Sequence, residues 1–525
     1  MVEVRLYQYK EGKALRYIVT GEEMQAIDSY SIEEIGIPSM VLMERAAMAV
    51  TQVLMEYMEE LELTVQPQIL VVTEGGNNGG DGLAVARMLF DLGCRVTVYQ
   101  IGGVKKETEQ YRQQKQILQR LNIPVYTGVT QEDIREWKKP RFDVVIDAIF
   151  GVGLKREIES PQKEIIDAMN QLGGLKCAID IPSGINSTTG LVLETAFQAD
   201  VTITFGCEKM GQLLGQGPEY CGDILVADIG FPKQAFQVRE PGCYCYEDID
   251  LEKLPKRKKM GNKGTFGKVT VVAGSDSVCG AALLSAESAY RTGCGLVEIV
   301  THVNNREAIQ KRLPEALLHV YSNGEEAKAI LEQSLEWADI MVIGPGIGTG
   351  EIGTSMVMQV LDAECPLVVD ADAITILAKQ DNWHTLRKQE GSLVLTPHMK
   401  EMERISRIPV AKLKEYPWSY AAEFSKEKGV ICVLKDARTI VTETDKKGCY
   451  INLSGNDGMA TGGSGDVLTG VIAGLAAQGL ELAEAARLGV FLHGKAGDWA
   501  AEEKGNYSML AGDIIDGVEQ VLKIH

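Results

Sequence analysis

The stretch of residues 69–82, ILVVTEGGNNGGDG, decides the fold of the first half of the chain. Its first residues are apolar and predict a short buried strand, and the residues from Gly75 to Gly82 are typical of turns. Glycines let a backbone approach a ligand closely, and N–H groups at a helix start attract phosphate. The loop is neither G-x-G-x-x-G nor a P-loop. An ordinary Gly/Asn turn is the alternative, and so long a run of turn residues disfavours it.

Similar Val/Ile-rich runs alternate with helix-length segments along the rest of the first half. They lie at residues 69–73, 95–101, 143–147, 177–181, 201–205 and 223–227. This alternation predicts a Rossmann-like, doubly wound parallel sheet in an α/β domain. Ahead of it, residues 22–59 carry apolar side chains at helical spacing and predict one or two helices packed on the sheet.

The second half repeats the α/β pattern. Its runs lie at residues 269–273, 296–301, 340–343, 367–369, 393–396 and 430–434, with an antiparallel edge predicted at 439–444 and 449–453. Helices are predicted at 466–478, 482–503 and 513–523. Residues 232–262 contain Pro241, Pro255 and a basic run at 256–259, which indicates a solvated linker. We therefore expect two domains, 1–240 and 241–525.

Composition narrows the classes of function. Of the 525 residues, 45% are hydrophobic, which excludes a largely disordered chain. The net charge of −20 disfavours nucleic-acid or membrane partners, because both are negatively charged. The longest charge-free stretch, residues 467–480, is shorter than the roughly 20 residues of a bilayer span and predicts a buried helix. The 11 cysteines are scattered, so we expect no disulfide framework, no structural zinc site and a cytoplasmic location.

Polar residues follow three of the predicted strands in the first half. Besides the glycine-rich loop, residues 147–154 (DAIFGVGL) and 180–184 (DIPSG) end strands. Ligands of open α/β sheets bind beyond the carboxyl ends of the strands, so we expect one shared pocket. Asn78, Asp147 and Ser183 offer oxygen ligands that suit a hard cation. Asp180 remains as a general acid/base group.

The second half holds a glycine-rich loop of its own, residues 456–468, NDGMATGGSGDVL. Backbone N–H groups at the start of the following helix can form an anion hole for a transferring phosphoryl group. Asp466 is then placed to take a proton from a substrate hydroxyl; a simple N-cap is the alternative. The loops at 344–348, 370–372, 396–398 and 435–439 also follow strands and predict a nucleotide and substrate cleft.

The first half resembles the NAD(P)H-hydrate epimerase domain, the YjeF N-terminal family, through NNGGDG, DAIFGVGL and DIPSG and through GIPSMVLMERAA at residues 36–47. The resemblance covers about residues 15–235. It implies potassium bound by Asn78, Asp147 and Ser183, and Asp180 against the reacting ring. It also implies a binding site for the hydrated dinucleotide formed by Asn77, Asn78, Gly79, Gly80, Asp81, Gly151, Val152, Gly153, Leu154, Lys155 and Arg156.

The second half resembles the ribokinase-like superfamily, and most closely the ADP-dependent NAD(P)H-hydrate dehydratases, the YjeF C-terminal family. The match runs from about residue 263 to residue 524 through NKGTFGKVTVVAGS, GPGIG, VVDADA, LTPH and MATGGSGDVLTG. It implies catalysis by Asp466 and Mg²⁺ bound with ADP. The substrate contacts would be Ala281, Gly346, His398 and Asp466, and the nucleotide contacts Lys435, Asp436, Ala437, Arg438, Thr439 and Gly465.

Together the resemblances imply a bifunctional enzyme that repairs hydrated NADH and NADPH. It would interconvert the R and S hydrates and dehydrate the S form with ADP, giving AMP and phosphate, and family members commonly assemble as homo-oligomers. ADP against ATP stays open. One alternative is a vitamin-precursor kinase with an N-terminal binding domain, which the motifs of the first half disfavour. Another is a regulatory binding protein whose N-terminal domain has lost catalysis, which the intact Asp180 and NNGGDG loop disfavour.

Overall fold

A computed structural model describes residues 16–63, 66–102, 107–137, 142–386, 391–444 and 448–524. The chain forms two compact units, the first ending at Gly242 and the second beginning at Cys243. Each unit is an α/β structure with a mainly parallel sheet, so the predicted fold class is confirmed.

The elements of the first unit alternate between strands and helices. They are β1 (Arg16–Val19), α1 (Gly21–Glu33), α2 (Ser39–Glu60), β2 (Gln68–Thr73), α3 (Asn77–Asp91), β3 (Arg95–Gln100), α4 (Glu109–Arg120), β4 (Val125–Thr127), α5 (Gln131–Trp137), β5 (Val144–Ala148), α6 (Gln162–Asn170), β6 (Leu175–Ile179), β7 (Val201–Phe205), β8 (Glu208–Lys209), α7 (Met210–Leu213), α8 (Pro218–Cys221), β9 (Asp223–Ala227) and α9 (Lys233–Val238).

The main sheet of this unit has seven strands in the order β4-β3-β2-β5-β6-β7-β9, all parallel. The six predicted runs form six of them; β4 was not predicted, because its side chains are largely exposed. Alternate residues of β2 enter different cores: Ile69 and Val71 pack with α2 and α3, whereas Leu70 and Val72 pack with α5 and α6. Both faces of the sheet are therefore covered, as a doubly wound fold requires. Strands β1 and β8 form a separate parallel pair.

The second unit begins with a strand. Its elements are β10 (Cys243–Cys245), β11 (Lys268–Val272), α10 (Gly280–Arg291), β12 (Leu296–His302), α11 (Arg306–Arg312), β13 (Leu317–Tyr321), α12 (Gly324–Trp337), β14 (Ile340–Ile343), α13 (Glu351–Leu361), β15 (Leu367–Val369), α14 (Asp372–Leu377), β16 (Leu393–Leu395), α15 (Met399–Ser406), α16 (Val410–Leu413), α17 (Pro417–Lys428), β17 (Ile431–Leu434), β18 (Ile440–Thr442), β19 (Cys449–Ile451), α18 (Ser464–Ala477), α19 (Leu482–Lys504) and α20 (Ala511–Ile524).

Its strands lie in the order β13-β12-β11-β14-β15-β16-β17-β18-β19-β10. The predicted antiparallel edge is confirmed, since β18 runs against both β17 and β19. Helix α18 holds the charge-free stretch and is buried over most of its length. A Cβ on Gly470 would lie 2.1 Å from the carbonyl oxygen of Ser285, so this glycine lets α18 pack directly on α10. Among the described helices, none is both long and apolar enough to cross a bilayer.

One pair of cysteines forms a disulfide, although none was expected from the sequence. Cys243 and Cys449 are directly opposite each other on the parallel strands β10 and β19, and their sulfurs form a disulfide. The prediction considered only pairs close in sequence, whereas these two are 206 residues apart and are brought together by strand pairing. The basic run at 256–259 is exposed, as expected of a solvated segment.

Candidate functional site

A cavity of about 460 Å³ opens at the carboxyl ends of the strands of the first unit. Its walls come from α1, α2, the start of α3, the loops after β5 and β6, and strand β8. Helix α3 begins directly after Gly76, so its N-terminal N–H groups lie at the cavity. A Cβ on Gly79 would lie 1.7 Å from the carbonyl oxygen of Glu74, so only glycine permits this tight strand-to-helix turn.

Asp147 joins two of the predicted loops beneath the cavity. Its carboxylate is fully buried and accepts hydrogen bonds from the Ser183 backbone N–H and Oγ, both at 2.7 Å, and from the N–H of Ile149 at 3.1 Å. The Ser183 Oγ in turn accepts from the N–H of Phe150 at 2.8 Å. Burial raises the pKa of Asp147 to about 6, although the three hydrogen bonds favour its ionised form. The residue therefore fixes both loops and is more than a local turn cap.

The side chain of Asn78 also contacts the loop after β5, at the carbonyl group of Phe150. Its Nδ2 donates to that carbonyl oxygen at 3.1 Å, which fixes the side chain. Its Oδ1 is buried and has no hydrogen-bond partner in the described part of the chain. A buried acceptor without a partner is costly unless a ligand or ion meets it. The structure thus brings together the predicted oxygen donors of Asn78, Asp147 and Ser183.

Asp180 is held at the cavity by a lysine that the sequence analysis missed. The Nζ of Lys209 is fully buried and donates to the Asp180 carboxylate at 2.5 Å, to Thr204 Oγ1 at 2.6 Å and to the Phe205 carbonyl oxygen at 3.0 Å. The backbone of Asp180 has φ of +66°, a conformation that non-glycine residues seldom adopt. The Gln212 side chain donates to the Asp180 carbonyl oxygen and stabilises this turn.

Two further aspartates line the same cavity. Asp28 comes from α1 and Asp81 from the first turns of α3. Burial, and then the charge of Asp180, raise the pKa of Asp28 to about 6. Burial and the charges of Asp180 and Asp28 raise the pKa of Asp81 well above its usual value. The cavity therefore holds Asp180, which is paired with a lysine, and two aspartates whose raised pKa values favour the protonated form.

Most residues predicted for the dinucleotide line this cavity: Asn77, Asn78, Asp81, Gly151, Val152, Gly153, Leu154, Arg156 and Asp180. Others do not. Gly79 and Gly80 are buried in the turn behind it, and Lys155 is exposed and pairs with Glu22. Lys209 lies four residues after the end of β7, so examining the polar residues that follow this strand as well would have found it. Asp28 has no signal in its helical sequence.

The glycine-rich loop of the second unit ends at Gly463, the N-cap of α18, where φ is +93°. Asp466 therefore lies inside the first turn and makes no capping hydrogen bond, so the N-cap alternative is wrong. Burial is the main cause that raises the pKa of Asp466 to about 6; Asp370 and Asp372 add to the shift and Lys435 opposes it.

Lys435 and Asp370 form an ion pair at 2.7 Å beside this turn. A Cβ on Gly465 would lie 3.2 Å from the Lys435 Nζ and 3.5 Å from an Asp370 carboxylate oxygen. The absence of a side chain at Gly465 thus leaves the start of α18 facing the ion pair. Asp372 accepts from the N–H of Gly348 at 2.9 Å, which connects a third strand-end loop to the same region.

The remaining predicted residues of this unit lie around that turn. His398 begins α15, where its Nδ1 accepts from the N–H groups of Lys400 and Glu401, and its backbone forms a bridge with Lys435. Ala281 is the second residue of α10. A Cβ placed on Gly346 would lie 3.4 Å from the Cβ of Ala281. The nucleotide loop Lys435, Asp436, Ala437, Arg438 and Thr439 joins β17 to β18, and Arg438 donates to the Leu453 carbonyl oxygen at 2.8 Å.

Two buried groups near Asp466 were missed. Glu401 is 6% exposed, and burial raises its pKa to about 7. His493 of α19 bonds through Nε2 to the Ser464 carbonyl oxygen at 3.0 Å, and burial lowers its pKa to about 4, so it is neutral. A neutral His493 donates this bond and anchors the first residue of α18. Its only signal in the sequence is its place in an apolar helix, which is typical of a structural histidine.

Comparison with known proteins identifies relatives along the whole chain. The family model described as NAD(P)H-hydrate dehydratase matches residues 269–520, and the model of the YjeF-related protein N-terminus matches residues 39–211. The bifunctional NAD(P)H-hydrate repair enzyme of Moorella thermoacetica is 35% identical over 524 residues, which are 97% of each chain. The enzyme of that name from Escherichia coli is 32% identical over 455 residues, 86% of this chain and 84% of the other.

A solved structure is similar to about half of the chain. It is the ADP/ATP-dependent NAD(P)H-hydrate dehydratase of Bacillus subtilis, co-crystallized with ATP and Mg²⁺. It is 33% identical, with a TM-score of 0.49, and the match covers 53% of this chain and 97% of that one. The full-length identity confirms the resemblance found in both halves of the sequence. The chain therefore belongs to the family of bifunctional NAD(P)H-hydrate repair enzymes.

Proposed function

We propose that the chain restores hydrated NADH and NADPH by two reactions, one in each unit. The first unit interconverts the R and S hydrates, and the second dehydrates the S form with ADP as phosphoryl donor, giving AMP and phosphate. The observation that carries this proposal is that each unit has its own carboxylate–lysine cluster at the ends of parallel strands, Asp180 with Lys209 and Asp370 with Lys435 beside Asp466. Two clusters of this kind support two separate reactions.

Epimerisation needs the hydrated carbon to lose and regain its hydroxyl. That carbon is bonded to the ring nitrogen, whose lone pair can expel the hydroxyl if a proton is supplied to it. Water then adds to the opposite face, and a carboxylate takes up its proton. The first cavity offers a lysine-paired carboxylate, Asp180, and carboxyl groups with raised pKa at Asp28 and Asp81. These are the two protonation states that the reaction needs.

Dehydration becomes easier when the hydroxyl is first phosphorylated, because phosphate is a better leaving group than hydroxide. Asp466 would accept the hydroxyl proton, and the N–H groups at the start of α18 would stabilise the charge on the transferring group. Asp466 faces Lys435, which balances part of the negative charge there. The ring nitrogen then expels phosphate and forms a carbon–nitrogen double bond. Loss of a proton from the adjacent ring carbon to solvent returns the electrons to nitrogen and restores the carbon–carbon double bond of the nicotinamide ring.

Metal ions fit both clusters. The unpartnered Asn78 Oδ1, with the neighbouring oxygens of Asp147 and Ser183, suits potassium in the first unit. Asp370 and Asp372 lie by the loop that begins α18 and would hold Mg²⁺ together with nucleotide phosphates. Mg²⁺ would neutralise phosphate charge, and potassium would fix the loop edge. We also propose a homo-oligomer in the cytoplasm.

The test of the function uses the full chain and the two purified hydrates. Recovery of the dihydronicotinamide absorbance is followed with ADP and Mg²⁺, separately for the R and the S form. We expect recovery from both, with a lag for the R form because it must first be epimerised. No recovery from the S form would contradict the dehydratase, and recovery from S alone would contradict the epimerase. ATP in place of ADP identifies the donor.

The potassium site gives a separate prediction. Asp147→Ala removes the only carboxylate among the proposed donors, and we expect epimerase activity to lose its dependence on potassium and to fall at least tenfold. The melting temperature should also fall, because three buried hydrogen bonds of about 1 kcal/mol each are lost. The measurement is the epimerisation rate across a potassium titration at constant ionic strength, with tetramethylammonium as the replacement cation.

The matched control is Asp200→Ala. Asp200 also accepts a backbone hydrogen bond at a strand end, from the N–H of Lys176, but it does not line the cavity. This variant should keep the potassium response of the unchanged chain. The proposed ion site is wrong if the epimerisation rate of the unchanged chain does not depend on potassium. It is also wrong if the rate of Asp147→Ala depends on potassium to the same degree as that of the unchanged chain.

A further inference from the structure

We propose that Asp28 is a catalytic residue of the epimerase site, the group that exchanges a proton with the departing hydroxyl while Asp180 receives the proton of the incoming water. The inference rests on the proposed epimerase function and assigns a role to a residue outside the three strand-end loops. Asp28 comes from α1, and its carboxyl group lines the same cavity as Asp180 and Lys209.

The carboxyl groups of Asp180 and Asp28 are held differently at the cavity. Asp180 accepts from the Lys209 Nζ at 2.5 Å, and its carboxylate also accepts from Thr204 Oγ1 and the Phe205 N–H at 3.3 Å. Asp28 has no hydrogen bond or ion pair with any residue of the described ranges. The Asp180 carboxylate is thus held in place by several donors, whereas the Asp28 carboxyl group at the cavity wall can exchange a proton with a ligand.

Asp28 and Asp81 differ in how far their pKa values are raised. Both carboxyl groups are disfavoured as anions by burial and by the charge of Asp180. The pKa of Asp81 is raised well above its usual value, which favours its protonated form. Burial raises the pKa of Asp28 only to about 6, close to neutral pH, where a group both releases and recovers a proton readily.

The surrounding charges leave this assignment intact. The other charged side chains at the cavity wall are Glu74, Arg156 and Lys209. The elements packed against α1 contribute Arg16 of β1, which pairs with Glu208, and Lys233 of α9. Arg239 follows α9 and lies over the Tyr30 ring. Lys209 donates to Asp180, Thr204 and the Phe205 carbonyl oxygen, so its three ammonium hydrogens are used in these bonds.

The step balances in atoms and electrons. The Asp28 carboxyl gives its proton to the hydroxyl as the carbon–oxygen bond breaks, and the ring nitrogen lone pair forms a carbon–nitrogen double bond. The departing group is water. A water molecule then forms a new carbon–oxygen bond on the opposite face, the double-bond electrons return to nitrogen, and the surplus proton goes to Asp180. The resulting protonation state, with Asp28 ionised and Asp180 protonated, catalyses the reverse conversion.

The test compares Asp28→Asn with Asp28→Glu in the full chain. We expect Asp28→Asn to lower kcat for epimerisation by about 10²–10⁴-fold with KM changed by less than about threefold, the usual effect of removing a positioned acid. The unchanged chain should lose kcat as pH rises above the pKa of Asp28, and Asp28→Asn should lack this decline. Asp28→Glu should recover at least tenfold over Asp28→Asn. Glu33→Gln, an exposed acid on the same helix, is the matched control and should leave kcat unchanged.

Stability supplies a readout that separates catalysis from a structural role. The folded pKa of Asp28 is raised above its unfolded value, so the stability this group contributes is present at low pH and is lost as pH rises through the folded value. Asp28→Asn should therefore melt at the same or a higher temperature at pH 7.5 while losing activity. A lower melting temperature with unchanged kcat would overturn the proposal and leave the epimerase function standing. An unchanged chain that fails to epimerise either hydrate would overturn both.

Discussion

Asp466→Asn is expected to lower the dehydration rate of the S hydrate by about 10²–10⁴-fold, the usual effect of losing a positioned base. Asparagine keeps the size of the side chain and the N–H groups at the start of α18, so nucleotide affinity should change little. In the unchanged chain, dehydration should slow as pH falls below about 6, where Asp466 becomes protonated. Single-turnover absorbance recovery and nucleotide titration measure the two effects.

The control for this variant is Asp516→Asn, which removes an exposed carboxylate from α20 in the same unit. It should dehydrate the S hydrate at the normal rate. Because the pKa of Asp466 is raised on folding, its ionised form costs stability at neutral pH, and Asp466→Asn should melt no lower than the unchanged chain at pH 7.5. Near-normal turnover by Asp466→Asn would show that another group accepts the proton.

Asp180→Asn should abolish epimerisation and leave dehydration of the S hydrate at its normal rate. Asparagine tolerates the φ of +66° at this position, so the turn itself should survive. The variant does leave the fully buried ammonium of Lys209 without its counter-charge. Breaking a buried ion pair on one side costs about 3–5 kcal/mol, so the first unit should unfold at a lower temperature. The rate is measured with the R hydrate and the unfolding by calorimetry.

A second variant separates the lost charge from the lost stability. Asp180→Asn combined with Lys209→Met removes both partners of the ion pair and should recover most of the melting temperature without restoring epimerisation. If activity returned with stability, Asp180 would be a structural residue only. If both reactions failed together in a folded Asp180→Asn chain, the assignment of one reaction to each unit would be wrong.

The sequence predicted the central strands well because they are buried on both faces and are therefore continuously apolar. It missed β4 and β13, whose side chains are mostly exposed or only partly buried and do not form a continuous buried run. It also missed the disulfide between Cys243 and Cys449, since no local spacing shows which strands become neighbours in a sheet.

Because they follow the ends of neighbouring parallel strands, we predicted that four residues lie together at the carboxyl edge of the sheet: Asn78, Asp147, Asp180 and Ser183. The structure places them there. This prediction could not include residues that reach the same edge from elements outside the main sheet. Asp28 comes from a helix that precedes the first strand of the main sheet, and Lys209 from a two-residue strand beyond β7. Only the three-dimensional path of the chain shows that their charges meet. The catalytic and ligand-binding roles of all these residues stay predictions.

Strand β10 makes the beginning of the second unit depend on residues synthesised long after it. Cys243 pairs with Cys449 and Tyr244 with Tyr450, across a separation of 206 residues. At a translation rate of roughly 5–20 residues per second, β10 waits on the order of 10–40 s for its partner. A fragment that starts after Cys245 would lack β10 altogether and expose β19, and an open strand edge invites pairing with another molecule. An expression boundary placed in the exposed basic run at 256–259 should therefore give an aggregating protein, and one placed before Cys243 a monodisperse protein.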